Sequence, residues 1–161
     1  MDDKKFAGLP FEQVVRKYSD TVGKVCLMRL RNWADAEDCF ENVFATLYKK
    51  SPCFESEEHL KAWLIRVSIN ECVSFLRRHK PLLPLKDAVN TAVFENHDSL
   101  DISWALFELD EKYRSVLYLY YYERYKIDEI AQILGKNSST VKTLLRRGKE
   151  KLKKIYGSDV K

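Results

Sequence analysis

A chain of 161 residues with a formal net charge of +4 has room for one ordinary domain or two small ones. At 45% hydrophobic and 32% charged residues, its composition is that of a folded globular protein and excludes a disordered one. The longest apolar run, Val116 to Tyr122, falls far short of the roughly 18 residues a membrane span needs, and the opening MDDKKFAGLPFEQ lacks the apolar centre of a secretion signal, so the expectation is a cytoplasmic protein without membrane insertion.

Taken in order, the chain first predicts a helix from Phe11 to Leu30, where Val14, Val15, Tyr18, Val22, Val25, Cys26, Met28 and Arg29 track a 3.6-residue period. Asn32 and Trp33 interrupt it. A second helix, DAEDCFENVFATLYKK, begins at Asp35 with acids in its first turn, where the helix dipole favours them. Phe40, Val43, Phe44 and Leu47 form its buried stripe. Asp35, Asp38, Glu41 and Asn42 lie along its exposed face. Ser51-Pro52 stops it, because proline disfavours helix at the preceding residue. The loop SPCFESE follows, with Phe54 as its one large aromatic. A third helix then runs from about Glu57 to His79, with Leu60, Trp63, Leu64, Val67, Cys72, Val73, Phe75 and Leu76 apolar and Asn70 set in its middle. Arg77, Arg78, His79 and Lys80 close it with positive charge.

The character changes between Pro81 and Leu100, where two prolines and a stretch without sustained periodicity predict a flexible linker. Helical pattern resumes at Asp101 with Ile102, Trp104, Ala105, Leu106 and Leu109. Asp110 is placed to cap a further helix whose buried stripe is Tyr113, Val116, Leu117 and Tyr120, leaving Tyr118, Tyr121, Tyr122 and Tyr125 partly exposed. The fold class expected is therefore all-α, with small helical domains at residues 1–80 and 101–161.

Residues 127–152, IDEIAQILGKNSSTVKTLLRRGKEKL, read as two helices joined by a tight turn. Ile130, Ala131, Ile133 and Leu134 face one way on the first. Gly135 ends it, since glycine takes the left-handed terminal conformation without steric cost. Asn137, Ser138 and Ser139 are all good N-caps for the second. Val141, Leu144, Leu145, Leu152 and Ile155 recur at helical spacing along it. This is the helix-turn-helix pattern, whose second helix enters the DNA major groove. Ser139, Thr140, Lys142, Thr143, Arg146 and Arg147 supply hydroxyls and cations that can reach base edges and phosphates. The bland reading of the same residues is an amphipathic hairpin with a solvated basic face.

Charge is unevenly spread. From Asp35 to Glu58 there are seven acids against two lysines, and from Lys142 to Lys154 seven basic residues against Glu150. The basic end suits nucleic acid and the acidic middle a basic protein surface. Cys26, Cys39, Cys53 and Cys72 form no CxxC pair, and His59, His79 and His97 are not spaced as partner ligands. No metal site and no cofactor are expected. The thiols at Cys26, Cys39 and Cys72 lie in apolar patterns as small hydrophobes. There is no glycine-rich phosphate loop and no nucleophile elbow, so no catalytic residue is assigned and the chain is not expected to be an enzyme.

Together these motifs resemble the extracytoplasmic-function group of bacterial RNA polymerase sigma factors, small members of the sigma-70 family. DAEDCFENVF resembles the family's helix for docking on core polymerase, which implies that Asp35, Asp38, Glu41 and Asn42 face a basic coiled coil there. KAWLIRVSINECVSFLRR resembles the helix that reads and opens the downstream (minus ten) element. With it come Phe54, Arg66, Asn70, Arg77 and Arg78 as candidate contacts to the melted strand. DEKYRSVLYLYYYERYKIDEIAQILGKNSSTVKTLLRRGKEKL resembles the domain that reads the upstream (minus thirty-five) element. The resemblance implies a sigma-2-like bundle over residues 1–80, a linker over 81–100 and a sigma-4-like helix-turn-helix domain over 101–161. The partners it implies are core RNA polymerase and promoter DNA, and an anti-sigma factor of the kind that often holds such proteins inactive. The competing reading is a stand-alone helix-turn-helix regulator, which gives the acidic second helix no role.

Overall fold

The computed structural model describes residues 4–30, 32–79, 106 and 108–156. The expected linker at 81–100, and Ile102, Trp104 and Ala105, lie outside them. The chain divides into two compact units, residues 1–88 and 89–161.

The N-terminal unit opens with a small antiparallel hairpin, β1 (Lys5–Phe6) and β2 (Leu9–Pro10). Its turn residues, Ala7 and Gly8, both have positive φ, 54° and 83°, as a two-residue turn matched to strand twist requires. Phe6 is buried by this hairpin. Lys4 donates from Nζ to the Tyr48 carbonyl at 2.9 Å, fastening the hairpin to the second helix. Nothing in the periodicity of the sequence announces these strands.

Three helices follow: α1 (Phe11–Leu30), α2 (Trp33–Lys50) and α3 (Glu57–Arg78), each packed on the other two. α2 begins two residues earlier than expected. Asn32, expected only as an interruption, caps it, accepting the Asp35 N–H on its side-chain oxygen at 3.0 Å. Ser51 ends α2 in the left-handed conformation (φ 44°). Ser56 caps α3 by accepting the His59 N–H at 3.1 Å.

The buried face of α3 is rotated from the expected one. Leu60, Leu64, Ile65, Ser68, Ile69 and Cys72 are buried, while Trp63, Val67, Val73, Phe75 and Leu76 are only half-buried. An apolar helix with hydrophobic residues on almost every side carries little directional signal, so its period does not choose a face. Ser68 is tolerated inside because its hydroxyl donates to the Leu64 carbonyl at 2.6 Å. At the rim, Tyr18 donates to Glu57, which also pairs with Lys17. Burial, then Glu57, pushes the Tyr18 phenol up to about 12, so it stays neutral.

The C-terminal unit comprises α4 (Glu111–Leu117), a π-helical turn (Tyr118–Tyr122), α5 (Ile127–Leu134) and α6 (Ser138–Tyr156). Leu106 and Leu109 are buried in it. Asp110 precedes α4 but caps it with no side-chain bond. The buried Arg114 instead ties the entry down, donating to the Leu109 carbonyl at 2.5 Å. Two tyrosine expectations fail here. Tyr118 is 2% exposed and donates to Glu123, whereas Tyr120 is only half-buried. A π turn takes more residues per turn than an α-helix, so it slips the buried stripe around the axis.

Candidate nucleic-acid interface

The hairpin of α5 and α6 is built by local rules. The Lys126 N–H donates to the Glu129 carboxylate at 2.8 Å, fixing the start of α5. Gly135 ends it with φ 68°, and the Lys136 N–H returns to the Ala131 carbonyl at 2.9 Å. Of the three candidate caps, Asn137 acts, accepting the Thr140 N–H at 2.8 Å. Ser138 donates instead to Asp128 of α5 at 2.6 Å, and Ser139 to Asn137 at 3.1 Å.

Ile130, Ala131, Ile133, Val141 and Leu145 are buried between the two helices. That burial sets the rotation of α6 and leaves Ser139, Thr140, Lys142, Arg146 and Arg147 exposed, with Thr143 half-buried. The six expected contact residues thus share the outer side of one helix. Arg146 lies 3.8 Å from Glu150, both side chains more than 60% exposed, a pair worth little in water. Lys149 sits over the rings of Tyr120 and Tyr121, at 6.0 and 5.7 Å. A hydrogen bond to Tyr121 raises the pKa of Lys149, which keeps it charged.

Sequence reasoning missed Gly148. It is buried in α6, and a Cβ there would lie 3.2 Å from Leu117 and 3.3 Å from Tyr113. α4 therefore packs directly against the backbone of α6. A glycine inside a helix costs about 1 kcal/mol relative to alanine, and that cost was the signal available in the sequence.

In the N-terminal unit, α2 and α3 enclose an open groove of about 440 Å³. Arg66 and Asn70 line it together with Trp63, Lys50 and Glu71. Trp63, one of the apolar positions of α3, is half-buried on this wall. Phe54 does not line the groove. It packs edge-on against Trp63, which does line the groove, at 5.6 Å and against His59 at 5.2 Å. Arg77 and Arg78 are exposed at the far end of α3. On α2, Asp38, Glu41 and Asn42 are exposed and Asp35 is half-buried. The Asn42 amide donates to Glu71 of α3 at 2.9 Å, an exposed bond that water can replace. Among the described residues no helix is long and apolar enough to cross a membrane.

Two family models match the chain: Sigma-70 region 2 over residues 14–81 and Sigma-70, region 4 over residues 101–152. Among curated proteins, the chain is 28% identical over 168 residues to the ECF RNA polymerase sigma factor SigW of Bacillus subtilis, covering 89% of this chain and 87% of that one. It is 26% identical to the ECF RNA polymerase sigma factor SigM of Mycobacterium tuberculosis, covering 91% and 77%. Among solved structures it is similar to the sigma factor RpoE of Bartonella quintana, crystallised with the anti-sigma factor NepR. The TM-score is 0.77 at 22% identity, with 92% of this chain and 98% of that one covered.

Proposed function

We propose the division of labour that follows from one premise: this chain belongs to the sigma-70 family, in its extracytoplasmic-function group. It binds core RNA polymerase and directs promoter-specific initiation of transcription. The single observation that carries the residue-level reading is the joining, in one chain, of an exposed acidic face on α2 to a helix-turn-helix with a basic outer side. A stand-alone regulator needs only the second.

In this reading Asp38 and Glu41, with Asp35 and Asn42 beside them, hold the polymerase. The outer side of α6 reads the upstream element. Arg66 and Asn70, in the groove beside Trp63, take bases of the downstream element once the duplex opens. Unstacking those bases costs a few kcal/mol, which capture on an aromatic and an amide offsets. Bond chemistry stays with the core enzyme, and the protein acts in the cytoplasm. An anti-sigma factor covering these faces belongs to the same proposal, because the fold is shared with a protein solved in such a complex. The deciding experiment is transcription in vitro by core polymerase with and without this protein. Start sites that appear only with it, sharing upstream and downstream elements, are expected. No added start sites would refute the proposal.

Two variants probe the upstream contact. Arg146→Ala should change discrimination at one base pair by about 1–3 kcal/mol, the usual worth of a side chain that reads a base edge. Lys149→Ala should weaken all upstream variants alike and flatten the salt dependence, as loss of a phosphate contact does. Transcription from a panel of upstream-element variants separates them, and equal shifts across the panel with Arg146→Ala would remove it from base reading.

The melted strand is probed in the groove. Asn70→Ala should reduce open-complex formation more than duplex binding. Phe54→Ala should do the same more weakly, because it reaches the groove only through Trp63. Permanganate reactivity of unpaired thymines measures melting directly, and parental reactivity with Asn70→Ala would exclude its amide from strand capture.

A further inference from the structure

Cys26 of α1, Cys39 of α2 and Cys72 of α3 are each fully buried, and they meet where the three helices converge. The Cys72 thiol donates to the Cys26 carbonyl at 3.9 Å, and the Cys39 thiol to the Glu71 carbonyl at 4.0 Å. The side chains also touch in sequence, Cys39 with Cys72 and Cys72 with Cys26. Valine or alanine would fill such positions as well, so three sulfurs in one contact network add chemistry that packing does not require. Among the described residues no group of three His, Cys, Asp or Glu side chains is placed to hold a metal ion. What the arrangement offers is sulfur–sulfur bonding.

We propose that Cys39 and Cys72 are a disulfide-forming pair, oxidised by a hydroperoxide, that links α2 to α3. Cys39 is the first sulfur oxidised. Its carbonyl partner, Glu71, is half-buried and lines the open groove, whereas the Cys72 thiol bonds the Cys26 carbonyl in a fully buried position. The hydrogen bond to Cys72, then burial, pushes the Cys39 thiol far up and holds it protonated in the closed bundle. Reaction therefore requires α2 to part from α3, since the thiolate is the nucleophile. On opening, the Cys39 thiolate attacks the peroxide oxygen. The O–O bond breaks, the leaving oxygen takes a proton, and Cys39 becomes a sulfenic acid. The Cys72 sulfur then attacks the Cys39 sulfur, and the S–O bond breaks with loss of water. Two thiols have given up two electrons and two protons, and with hydrogen peroxide the products are one disulfide and two waters.

The bond brings the sulfurs to about 2 Å and draws the helices together at that point. Cys72 is next to Glu71, the acceptor of the Asn42 amide, and two residues from Asn70 in the groove. Oxidation would thus act on the docking and melting faces at once, a consequence that rests on the function proposed above. The chemistry does not rest on it.

The test treats the full-length protein with hydrogen peroxide, blocks remaining thiols in denaturant, and maps peptides by mass spectrometry. Titratable thiols should fall from four to two per chain, with the Cys39 peptide joined to the Cys72 peptide and released by dithiothreitol. With Cys72→Ala, the Cys39 sulfenic acid should persist and be trapped by dimedone, in protein whose circular dichroism confirms a folded bundle. Four thiols remaining, or a bond made through Cys26 or Cys53, would overturn the assignment. Transcription with core polymerase should be lost on oxidation and return with reductant. Undiminished transcription by the cross-linked protein would overturn the functional consequence alone.

Discussion

Leu145→Ala is expected to destabilise the C-terminal unit by about 2–5 kcal/mol, the range for emptying a buried leucine site. Leu145 is 6% exposed on α6, which packs against α5. A unit this small has total stability toward the low end of the ordinary range of about 5–15 kcal/mol, so one such cavity removes much of it. Neighbouring Leu144 is half-buried, and its alanine variant should lose distinctly less. Gly148→Leu should match Leu145→Ala in severity, because a leucine there collides with Leu117 and Tyr113. Gly148→Ala should be close to neutral. The end of Leu117 can give by a few tenths of an ångström, and the small shift of α4 that Tyr113 Cβ at 3.3 Å requires offsets the gain of about 1 kcal/mol in helix propensity. Hydrogen exchange mapped to residues 127–152 measures each effect without assuming that the two units unfold together. Native protection in Leu145→Ala would mean that α5 and α6 do not depend on this contact.

The helix-turn-helix was legible because its determinants are local. Gly135 must have positive φ, Asn137 caps the residues just after it, and Val141 and Leu145 face inward by spacing alone. The same holds for the end of α2 at Ser51 and the start of α3 after Ser56, whereas Asn32, read only as an interruption, caps α2 two residues before its expected start. What the sequence hid was set by contacts between elements. Residues of α3 look apolar on most sides, and only packing on α1 and α2 selects Ile65 and Ile69 over Trp63 and Val67. Trp63, apolar though it is, thereby stands on the groove wall with Asn70 and Arg66. Tyr118 turned inward because a π turn changes the local period, and no residue type marks such a turn. The convergence of Cys26, Cys39 and Cys72 depends on how three helices pack, which their spacing along the chain does not encode.

Reversing charge at Asp38 and Glu41 together, to lysine, is expected to lower affinity for core polymerase by at least roughly 30-fold, since disrupting a close charge pair at an interface costs about 2–5 kcal/mol. Both carboxylates are exposed on α2 and three residues apart, so they share one side of the helix. The buried residues of α2 (Ala36, Cys39, Val43, Phe44 and Leu47) are untouched by the change. Exposed substitutions of this kind usually alter stability by no more than about 0.5 kcal/mol, so loss of binding would not reflect loss of fold. The flanking candidates give less clean tests. Asp35 is half-buried in the first turn, where a lysine would oppose the helix dipole, and its N–H belongs to the Asn32 cap. Asn42→Ala would also release Glu71 beside the groove and so mix docking with melting. The double reversal at Asp38 and Glu41 should therefore lose polymerase while leaving intact the outer side of α6 proposed to bind duplex DNA. Equilibrium binding to core polymerase at two salt concentrations checks this. The parent should weaken as salt rises, because screening cuts attraction between exposed charges, and the double variant should lose most of that dependence. If the variant binds polymerase as the parent does at both salts, the acidic face of α2 is not the docking surface.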